Sequence, residues 1–521
     1  MCRPVRLRLR GELPFLAGLV LAGLVICVSC RPEGDPDVWW HLAAGRWMVE
    51  HRQVPRTDPF SYSAAGAPWI AHEWATEVLL YGLYRAFGLY GLSIYRQVAA
   101  AAGAVLLYAL CLRAAVHPLL AFAAGAAFVA TLAPVFNARP QVLVPVFTLL
   151  VLHVLLSHRK GRQRALWWLV PLAVVWVNSH GGFLLLFVVL ALYGLHTALV
   201  PPPGGLRSSG WRVAPRRALP VAWVGLVAAV ACLLNPNGLR GVMYPFTYFT
   251  GELGGATRFV NEFLSPNFSH ANMSVPLLLI AGSIVFLALA PRAPEIFEVL
   301  VLVFCTASFL RWQRMIAVFG AVSLWSIAQA LQSRFRWHYQ PSGGRGASAM
   351  KLSLVLVALV MAAAGMPWTR PPNALIHQAS YPEGAVRMAK LNGLRGRLLN
   401  TYHFGGYLIW RYYGRRVVFI DGRADVYAGR VLRDYMTLST GGPGWRAVLR
   451  RYNFDWAILD RDSELCERLR LLKDWHVLYA DSVAVLLVRD SPENKDVLAR
   501  WRRGALRQLA PAPLGAPPCG G

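Results

Sequence analysis

The first 370 positions of the chain alternate long apolar stretches with short polar connections. An α-helix needs roughly 17 to 25 mostly apolar residues to cross about 30 Å of hydrocarbon, so this pattern favours a membrane protein with many spans. About 11 spans are predicted. They cover Leu13–Cys30, Leu89–Leu112, Leu119–Phe136, Gln141–Leu156, Leu166–Val177, Gly182–Val200, Leu219–Leu234, Val275–Leu289, Ile296–Phe309, Met315–Leu331 and Leu352–Met366.

A different pattern begins after Pro371. Short runs rich in β-branched and aromatic residues alternate with helical stretches such as Gly429–Leu438 and Asp462–Lys473, which is typical of a water-soluble α/β domain. Strands are predicted at Val417–Ile420, Trp456–Leu459, Val477–Tyr479 and Val483–Val488. The fold class is therefore an α-helical polytopic membrane protein with a C-terminal α/β domain.

The predicted organisation has three parts. A membrane domain covers 1–370 and contains a long first outer loop at 31–88. The α/β domain covers 371–495, and a tail over 496–521 starts basic and continues as a Pro- and Gly-rich segment that is expected to be disordered.

The first outer loop carries two helical patterns rich in large aromatic residues, Val38–Glu50 and Trp69–Phe87. Indole and phenol rings favour the boundary between lipid headgroups and hydrocarbon. Both helices are therefore predicted to lie in the membrane interface. Between them, Pro55–Pro68 is typical of turns.

Composition supports a membrane location. The hydrophobic share is 56%, the charged share is 15% and the mean hydropathy is +0.41, which is too apolar for a soluble globular protein of 521 residues. The net charge of +27 comes mostly from Arg in short connections, where it sets topology and meets anionic membrane lipids. No nucleic-acid partner is expected. The excess of basic residues on alternate connections predicts an inside N-terminus and a C-terminal domain outside the cytoplasm.

The segment Asp35-Pro36-Asp37-Val38-Trp39-Trp40-His41 directly follows the first span. Asp35 and Asp37, with His41 one helical turn after Asp37, could activate a hydroxyl or hold a divalent cation such as Mg²⁺ or Mn²⁺. A structural role fits equally well. Asp35 suits a helix cap, Pro36 suits the first helical position, and Asp37 suits the positive end of the helix.

Further polar residues fall on the outer ends of the predicted spans and in the outer loops. They are His72, Glu73, Arg139, His180, Glu262, Arg311 and Arg314. Ionisable groups near a bilayer are costly unless they face a cavity or a partner, so their placement on one side predicts a shared polar cavity. Its three guanidinium groups could bind a phosphate. Each Arg taken singly could instead be a loop residue that binds lipid headgroups. His72 and Glu73 could instead belong to the solvent-exposed face of an amphipathic helix.

The order of these features resembles the GT-C superfamily of membrane glycosyltransferases. More narrowly, DPDVWWHLAAGRWMVEHRQVPRTDPFSYSAAGAPWIAHEW, from Asp35 to Trp74, resembles the first loop of bacterial members. The resemblance implies transfer of a sugar from a polyprenyl-phosphate-linked or pyrophosphate-linked donor to a glycan, lipid or protein acceptor at the outer face of the cytoplasmic membrane. No WWD run occurs in the C-terminal domain, so protein N-glycosylation is less favoured.

The resemblance also implies roles for residues. Asp37 or Asp35 would be the catalytic base or its orienting partner, and Arg139, Arg311 or Arg314 would stabilise the leaving phosphate. Glu262 would lie in a loop that closes over the site.

Two other interpretations stay open beside the glycosyltransferase. A lipid-linked glycan transporter or flippase would place polar residues through the depth of the membrane, whereas here they collect at one side. A non-catalytic scaffold would use the C-terminal domain for binding. In that domain Asp421 and Arg423 fit either an acceptor site or a structural ion pair near a turn.

Overall fold

Every predicted span contains a helix in the computed structural model, which describes residues 13–200, 215–249, 260–270, 273–291, 294–335, 337, 346–415, 417–427 and 429–509. The helices before the C-terminal domain are α1 (Leu13–Val28), α2 (Asp37–His51), α3 (Trp74–Phe87), α4 (Leu89–Arg113), α5 (Pro118–Leu132), α6 (Val144–Arg159), α7 (Leu169–Ser179), α8 (Leu184–Leu199), α9 (Leu219–Ala231), α10 (Leu239–Met243), α11 (Ser274–Ala288), α12 (Ile296–Arg311), α13 (Ile316–Phe335) and α14 (Gly346–Gly365).

Five helical segments of the described chain are long and apolar enough to cross a membrane by length and composition. They are Leu89–Arg113, Pro118–Val135, Pro140–Arg159, Gly181–Leu199 and Gln313–Phe335. Three shorter apolar helices, Pro14–Val28, Ser274–Ala288 and Lys351–Gly365, also fall within predicted spans. The polytopic helical architecture agrees with the sequence, while the number of 11 spans stays a prediction.

The C-terminal domain holds a four-stranded mixed sheet made of β1 (Leu398–Asn400), β2 (Trp456–Asp460), β3 (Trp475–Ala480) and β4 (Ala484–Arg489), in the order β1-β2-β4-β3. β1 pairs parallel with β2, and β4 runs antiparallel to both of its neighbours. The domain's helices are α15 (Glu383–Asn392), α16 (Gly405–Arg411), α17 (Arg430–Ser439), α18 (Trp445–Tyr452), α19 (Glu464–Arg470) and α20 (Lys495–Arg502). β2, β3 and β4 confirm three of the predicted strands.

The fourth predicted strand, Val417–Ile420, is not part of this sheet. Val418 instead forms an isolated parallel bridge with Ser61 of the first outer loop. The Asn400 side chain accepts from the Phe419 amide and donates to the Ile420 carbonyl, at 2.9 and 2.7 Å. The segment is extended because these contacts satisfy its backbone, and it joins the C-terminal domain to the first loop.

The helices of the first loop also differ from the prediction. The second begins at Trp74 rather than Trp69, and α2 is packed between α3 and α16. The indole of Trp39 is fully buried against the rings of Tyr381 and Tyr407, with centroids 5.7 and 5.3 Å away. An interfacial position for this ring is therefore wrong, because the C-terminal domain covers it.

The basic start of the predicted tail is ordered. α20 covers much of it, and the amide of Arg507 donates to Asn392 Oδ1 of α15 at 3.1 Å. The sequence there contributes an amphipathic helix to the domain, while the disorder expected of the Pro- and Gly-rich part stays a prediction. The Pro- and Gly-rich part from Ala510 lies outside the described residues.

Candidate active site

Asp35 sets the start of α2. Its Oδ1 accepts from the backbone amide of Asp37 at 2.9 Å, and its Oδ2 accepts from Asn137 Nδ2 at 2.6 Å. The first contact satisfies an amide at the beginning of the helix, as a helix cap does. Asp35 is thus held by two structural contacts and orients the segment that carries Asp37.

Arg139 brings three carboxylates together. Its Nη1 lies 3.3 Å from Asp35 Oδ2, 3.2 Å from Asp37 Oδ2 and 2.7 Å from Glu262 Oε1. The guanidinium therefore compensates the charge of the cluster from its centre. Because Arg139 occupies the space between these carboxylates, it acts here as their shared cation, and a divalent cation held by Asp35 and Asp37 stays a prediction.

Asp37 is the carboxylate of this group that lies at the α2 end of a large cavity. Its side chain keeps 20% of its surface exposed, compared with 10% for Asp35. Burial raises the pKa of Asp37 to about 7; the guanidinium of Arg139 opposes the shift, and the carboxylates of Asp35 and Glu262 add to it. A carboxyl that titrates near neutral pH is suited to accept a proton from a hydroxyl.

The cavity has a volume of about 1010 Å³ and two chemically different walls. The membrane helices α8, α12 and α13 supply apolar side chains. These include Leu184, Leu185, Val188, Phe304 and Val318. The polar wall contains predicted site residues from separate parts of the chain, namely Asp37, His72, Glu73, Arg139, His180, Glu262, Arg311 and Arg314. Eight of the ten predicted residues thus share one cavity; Asp35 and His41 pack behind its lining.

Arg311 and Arg314 differ from Arg139 in their partners. The guanidinium of Arg314 lies 4.5 Å from the ring centroid of Phe263, and that of Arg311 lies 5.7 Å from the ring of Trp312. Among the described residues, neither side chain has a carboxylate within ion-pairing distance. Two cations at the cavity wall that form no close ion pair are a suitable site for an anionic ligand, although the charge of Arg314 also acts on the Glu262 carboxylate.

His41, His72 and His180 gather around Glu73. His180 Nε2 lies 3.3 Å and His72 Nε2 lies 3.6 Å from Glu73 Oε1, while His41 Nδ1 lies 3.8 Å from Oε2. Burial alone would raise the pKa of Glu73, but the three imidazoles bring it below its ordinary value. The prediction that His72 and Glu73 are simply a solvated helix face is therefore not what the structure shows, since both are largely enclosed.

A buried ion pair behind the site was missed from the sequence. Glu33 Oε1 accepts from the amides of Gly34 and Asp35, and its Oε2 accepts from the amide of Ala138 at 2.9 Å and lies 3.3 Å from Arg96 Nη1. Glu33 thereby fixes the segments that carry Asp35 and Arg139 beside each other. Arg96, an ionisable residue within a predicted apolar span, was the signal that could have revealed it.

The C-terminal domain completes the cavity. Tyr402, Gly422, Arg423, Ala424 and Asp425 line it, and the Tyr402 hydroxyl donates to the Gly422 carbonyl at 3.1 Å. Arg423 binds Asp421 through two nitrogens, Nε and Nη2, at 2.8 and 2.7 Å. The structural ion pair considered from the sequence is thus present, and the turn that contains it lies over Asp37.

Gly422 makes the closest approach of this turn to Asp37. A Cβ at position 422 would overlap the Asp37 carboxylate. We expect Gly422→Ala to displace Asp37 and to lower the rate of the reaction at this site by roughly 100-fold, because displacements of about 1 Å can have that effect. The measurement is the initial rate of the purified variant. Gly82→Ala is the matched control, since no atom lies within 4 Å of a Cβ there, and equal rates for all three proteins would contradict the prediction.

No protein-family model matches the chain, and no curated protein matches it by sequence. Solved structures do match. The oligosaccharyltransferase of Archaeoglobus fulgidus in the apo form has a TM-score of 0.55 and 12% identity, over 87% of this chain and 70% of that chain. The archaeal oligosaccharyltransferase AglB from the same organism, in complex with an inhibitory peptide and a dolichol-phosphate, has a TM-score of 0.54 and 12% identity, over 85% and 69%.

A third match is the arabinofuranosyltransferase AftD from Mycobacteria, with a TM-score of 0.50 and 14% identity, over 92% of this chain and 41% of that chain. At identities this low, the likeness establishes the fold. The chain has the fold of GT-C membrane glycosyltransferases, as the resemblance of its first loop predicts.

Proposed function

We propose that the chain is a glycosyltransferase that moves a sugar from a polyprenyl-phosphate-linked donor to an envelope acceptor at the outer face of the cytoplasmic membrane. The observation that carries the proposal is the combination in one cavity of the Asp37 carboxylate with the guanidinium groups of Arg311 and Arg314, which form no ion pair within 4 Å among the described residues. The acceptor is a glycan, a lipid or a protein. The fold of known transferases supports the assignment.

The proposed reaction is one displacement at the anomeric carbon of the sugar. The acceptor hydroxyl oxygen forms the new bond to this carbon while its proton passes to the Asp37 carboxylate. The bond between the anomeric carbon and the donor phosphate oxygen breaks, and its electron pair stays with the phosphate. Arg311 and Arg314 stabilise the charge that develops on the leaving polyprenyl phosphate.

The two walls of the cavity fit the two parts of such a donor. The apolar wall of α8, α12 and α13 would contact the first isoprenoid units, because α8 and α13 belong to segments that are long and apolar enough to cross a membrane. The polar wall would hold the phosphate and the sugar. AglB, whose fold this chain shares, has been solved with a dolichol-phosphate, which is a carrier of the same chemical class.

The C-terminal domain would take part in acceptor binding. Asp425 and Tyr402 lie on the side of the cavity that this domain closes, away from the membrane helices. A carboxylate and a phenol can bind sugar or peptide hydroxyl groups by hydrogen bonds. This role gives the turn at Gly422 a function in substrate binding beside its contact with Asp37.

A deletion strain tests the proposed function. Mass spectrometry of envelope glycans and of polyprenyl-linked sugars should show one glycan that lacks a sugar and an accumulated lipid-linked donor, both reversed by the wild-type gene. A flippase would instead leave the lipid-linked intermediate on the cytoplasmic side of the membrane. A scaffold would be restored equally well by an Asp37→Asn gene, and either result would rule out the transferase.

The pKa of Asp37 gives a pH dependence. The protonated carboxyl cannot accept the acceptor's proton, and the folded-state pKa is raised to about 7, so we expect kcat/KM to fall below neutral pH and to reach a plateau above it. The groups that face Asp37 are Asp35, Arg139, Glu262 and Asp421. The measurement is the initial transfer rate of purified protein from pH 5 to 9. A rate that is constant across this range would contradict a base with such a pKa.

A further inference from the structure

A second cluster of ionisable groups lies at the edge of the cavity, between α2 and α3. His41, Glu73 and Glu77 each point one ligand atom to a common centre, and these atoms all lie within 4.8 Å of one another. His41 Nδ1 is 3.0 Å from Glu77 Oε1 and 3.8 Å from Glu73 Oε2. The proposed sugar transfer assigns no role to Glu77, which the sequence places one helical turn after Glu73.

Close packing of the two helices creates this cluster. Gly45 lies one turn after His41, and a Cβ there would overlap the backbone carbonyl of Glu77. The absence of a side chain lets α2 approach α3 at this point, so that His41 meets both glutamates. The backbone therefore sets the close approach of the two helices that carry the cluster.

One carboxylate oxygen of the cluster has no partner among the described residues. Glu77 is 1% exposed, and its Oε2 is buried without a hydrogen-bond partner. Within the described part of the chain, only imidazoles lie within ion-pairing distance of Glu73 and Glu77, with no Lys or Arg among them. Two buried carboxylates in this setting are costly unless a cation joins them.

His180 contacts Glu73 from the side opposite His41. Its Nδ1 accepts from the Gly182 amide at 2.8 Å, so the neutral ring carries its proton on Nε2, which lies 3.3 Å from Glu73 Oε1. Such a second contact fixes a ligating carboxylate and leaves its other oxygen for the ion. Glu73 Oε2 is the oxygen that faces His41.

We propose that His41, Glu73 and Glu77 bind a divalent transition-metal cation, with Zn²⁺ as the best fit. One imidazole and two carboxylates form a ligand set that Zn²⁺ accepts, and Zn²⁺ binds such sites more tightly than Mn²⁺ does. Glu73 and Glu77 line the cavity, so an open coordination position would face it, one helical turn from Asp37. There the ion would bind a hydroxyl or phosphate oxygen of a substrate. This site does not depend on the proposed sugar transfer.

Metal content tests the proposal directly. The full-length protein, purified in detergent and stripped with a chelator, is dialysed against Zn²⁺ alone, and the bound metal is measured by mass spectrometry. We expect one Zn²⁺ per chain and a higher thermal midpoint in the presence of Zn²⁺. Loss of an outer contact costs 10- to 100-fold in affinity, so Glu77→Gln should weaken binding by at least about 100-fold.

The controls separate this result from folding and from catalysis. Glu77→Gln should fold without metal, because it keeps the size of the side chain and removes a buried charge whose Oε2 has no hydrogen-bond partner. Glu50→Gln changes an exposed carboxylate of α2 and should bind Zn²⁺ like the wild type. Asp37→Asn should keep the metal whether or not the transferase proposal holds. No stoichiometric Zn²⁺ in the wild type, or equal affinity in Glu77→Gln, would overturn the metal site, and tighter binding of Mn²⁺ would overturn the choice of Zn²⁺.

Discussion

Asp37→Asn is expected to lower the rate of sugar transfer by roughly 10²- to 10⁴-fold, which is the contribution of a positioned general base. The amide has nearly the same shape as the carboxyl but cannot accept the acceptor's proton. The start of α2 should persist, because the contact that caps it comes from Asp35 and not from Asp37. The measurement is the transfer rate of purified protein in nanodiscs, using the lipid-linked donor that accumulates in the deletion strain.

Two comparisons make the Asp37→Asn result specific. Glu464→Gln alters an exposed carboxylate on α19 that pairs with Arg468, and neither residue lines the cavity. This variant should transfer sugar at the wild-type rate. Binding of the donor should be nearly unchanged in Asp37→Asn, since the proposed phosphate contacts belong to Arg311 and Arg314. A variant that transfers normally would show that Asp37 only pairs with Arg139.

Much of the membrane domain could be predicted because the signal for a span is local. Each run of apolar residues needs only its own length and composition to form a helix that suits hydrocarbon, and a helix occurs at every predicted span. The sidedness of Arg139, Glu262 and Arg314 was predictable for the same reason. The end of one span and the start of the next lie on the same side of a membrane, so residues in alternate connections share a side, and these three share the cavity wall.

Long-range pairings were not predictable from local patterns. Val417–Ile420 has the composition of a strand, yet its backbone pairs with Ser61 and with the Asn400 side chain instead of joining the sheet. Periodicity describes which face is buried but not which partner covers it. For the same reason, the aromatic positions of α2 could indicate a membrane interface, although the C-terminal domain is what packs against Trp39.

The part of the cavity wall that comes from the C-terminal domain could not be predicted from local patterns either. The sequence indicated a turn at Asp421 to Asp425, and it left an ion pair and a binding site equally open. The structure has the ion pair and places the same turn in the cavity wall. Only the fold could reveal that the ion pair and the cavity wall share this turn, because Asp58, the second partner of Arg423, lies 365 positions earlier in the chain.

Arg423 joins the C-terminal domain to the first outer loop. Its Nη1 donates to Asp58 Oδ1 at 2.8 Å, while its other nitrogens hold Asp421. All three side chains are at most 1% exposed, and the guanidinium lies 4.7 Å from the ring centroid of Trp69. Two buried carboxylates therefore depend on one cation that comes from the turn above Asp37.

Arg423→Met is expected to destabilise the folded protein by about 3–5 kcal/mol, because it leaves the carboxylates of Asp58 and Asp421 buried without a counter-charge. The measurement is the free energy of unfolding from tryptophan fluorescence in denaturant, beside the transfer rate under native conditions. Arg430→Met removes an Arg that is 66% exposed and pairs with Asp434 at 3.7 Å, so it should cost no more than about 1 kcal/mol. We expect the transfer rate of Arg423→Met to fall even where the protein stays folded, since the turn that it anchors lines the cavity. Equal stability and equal rates for the two variants would show that the first loop and the C-terminal domain are held together by other contacts.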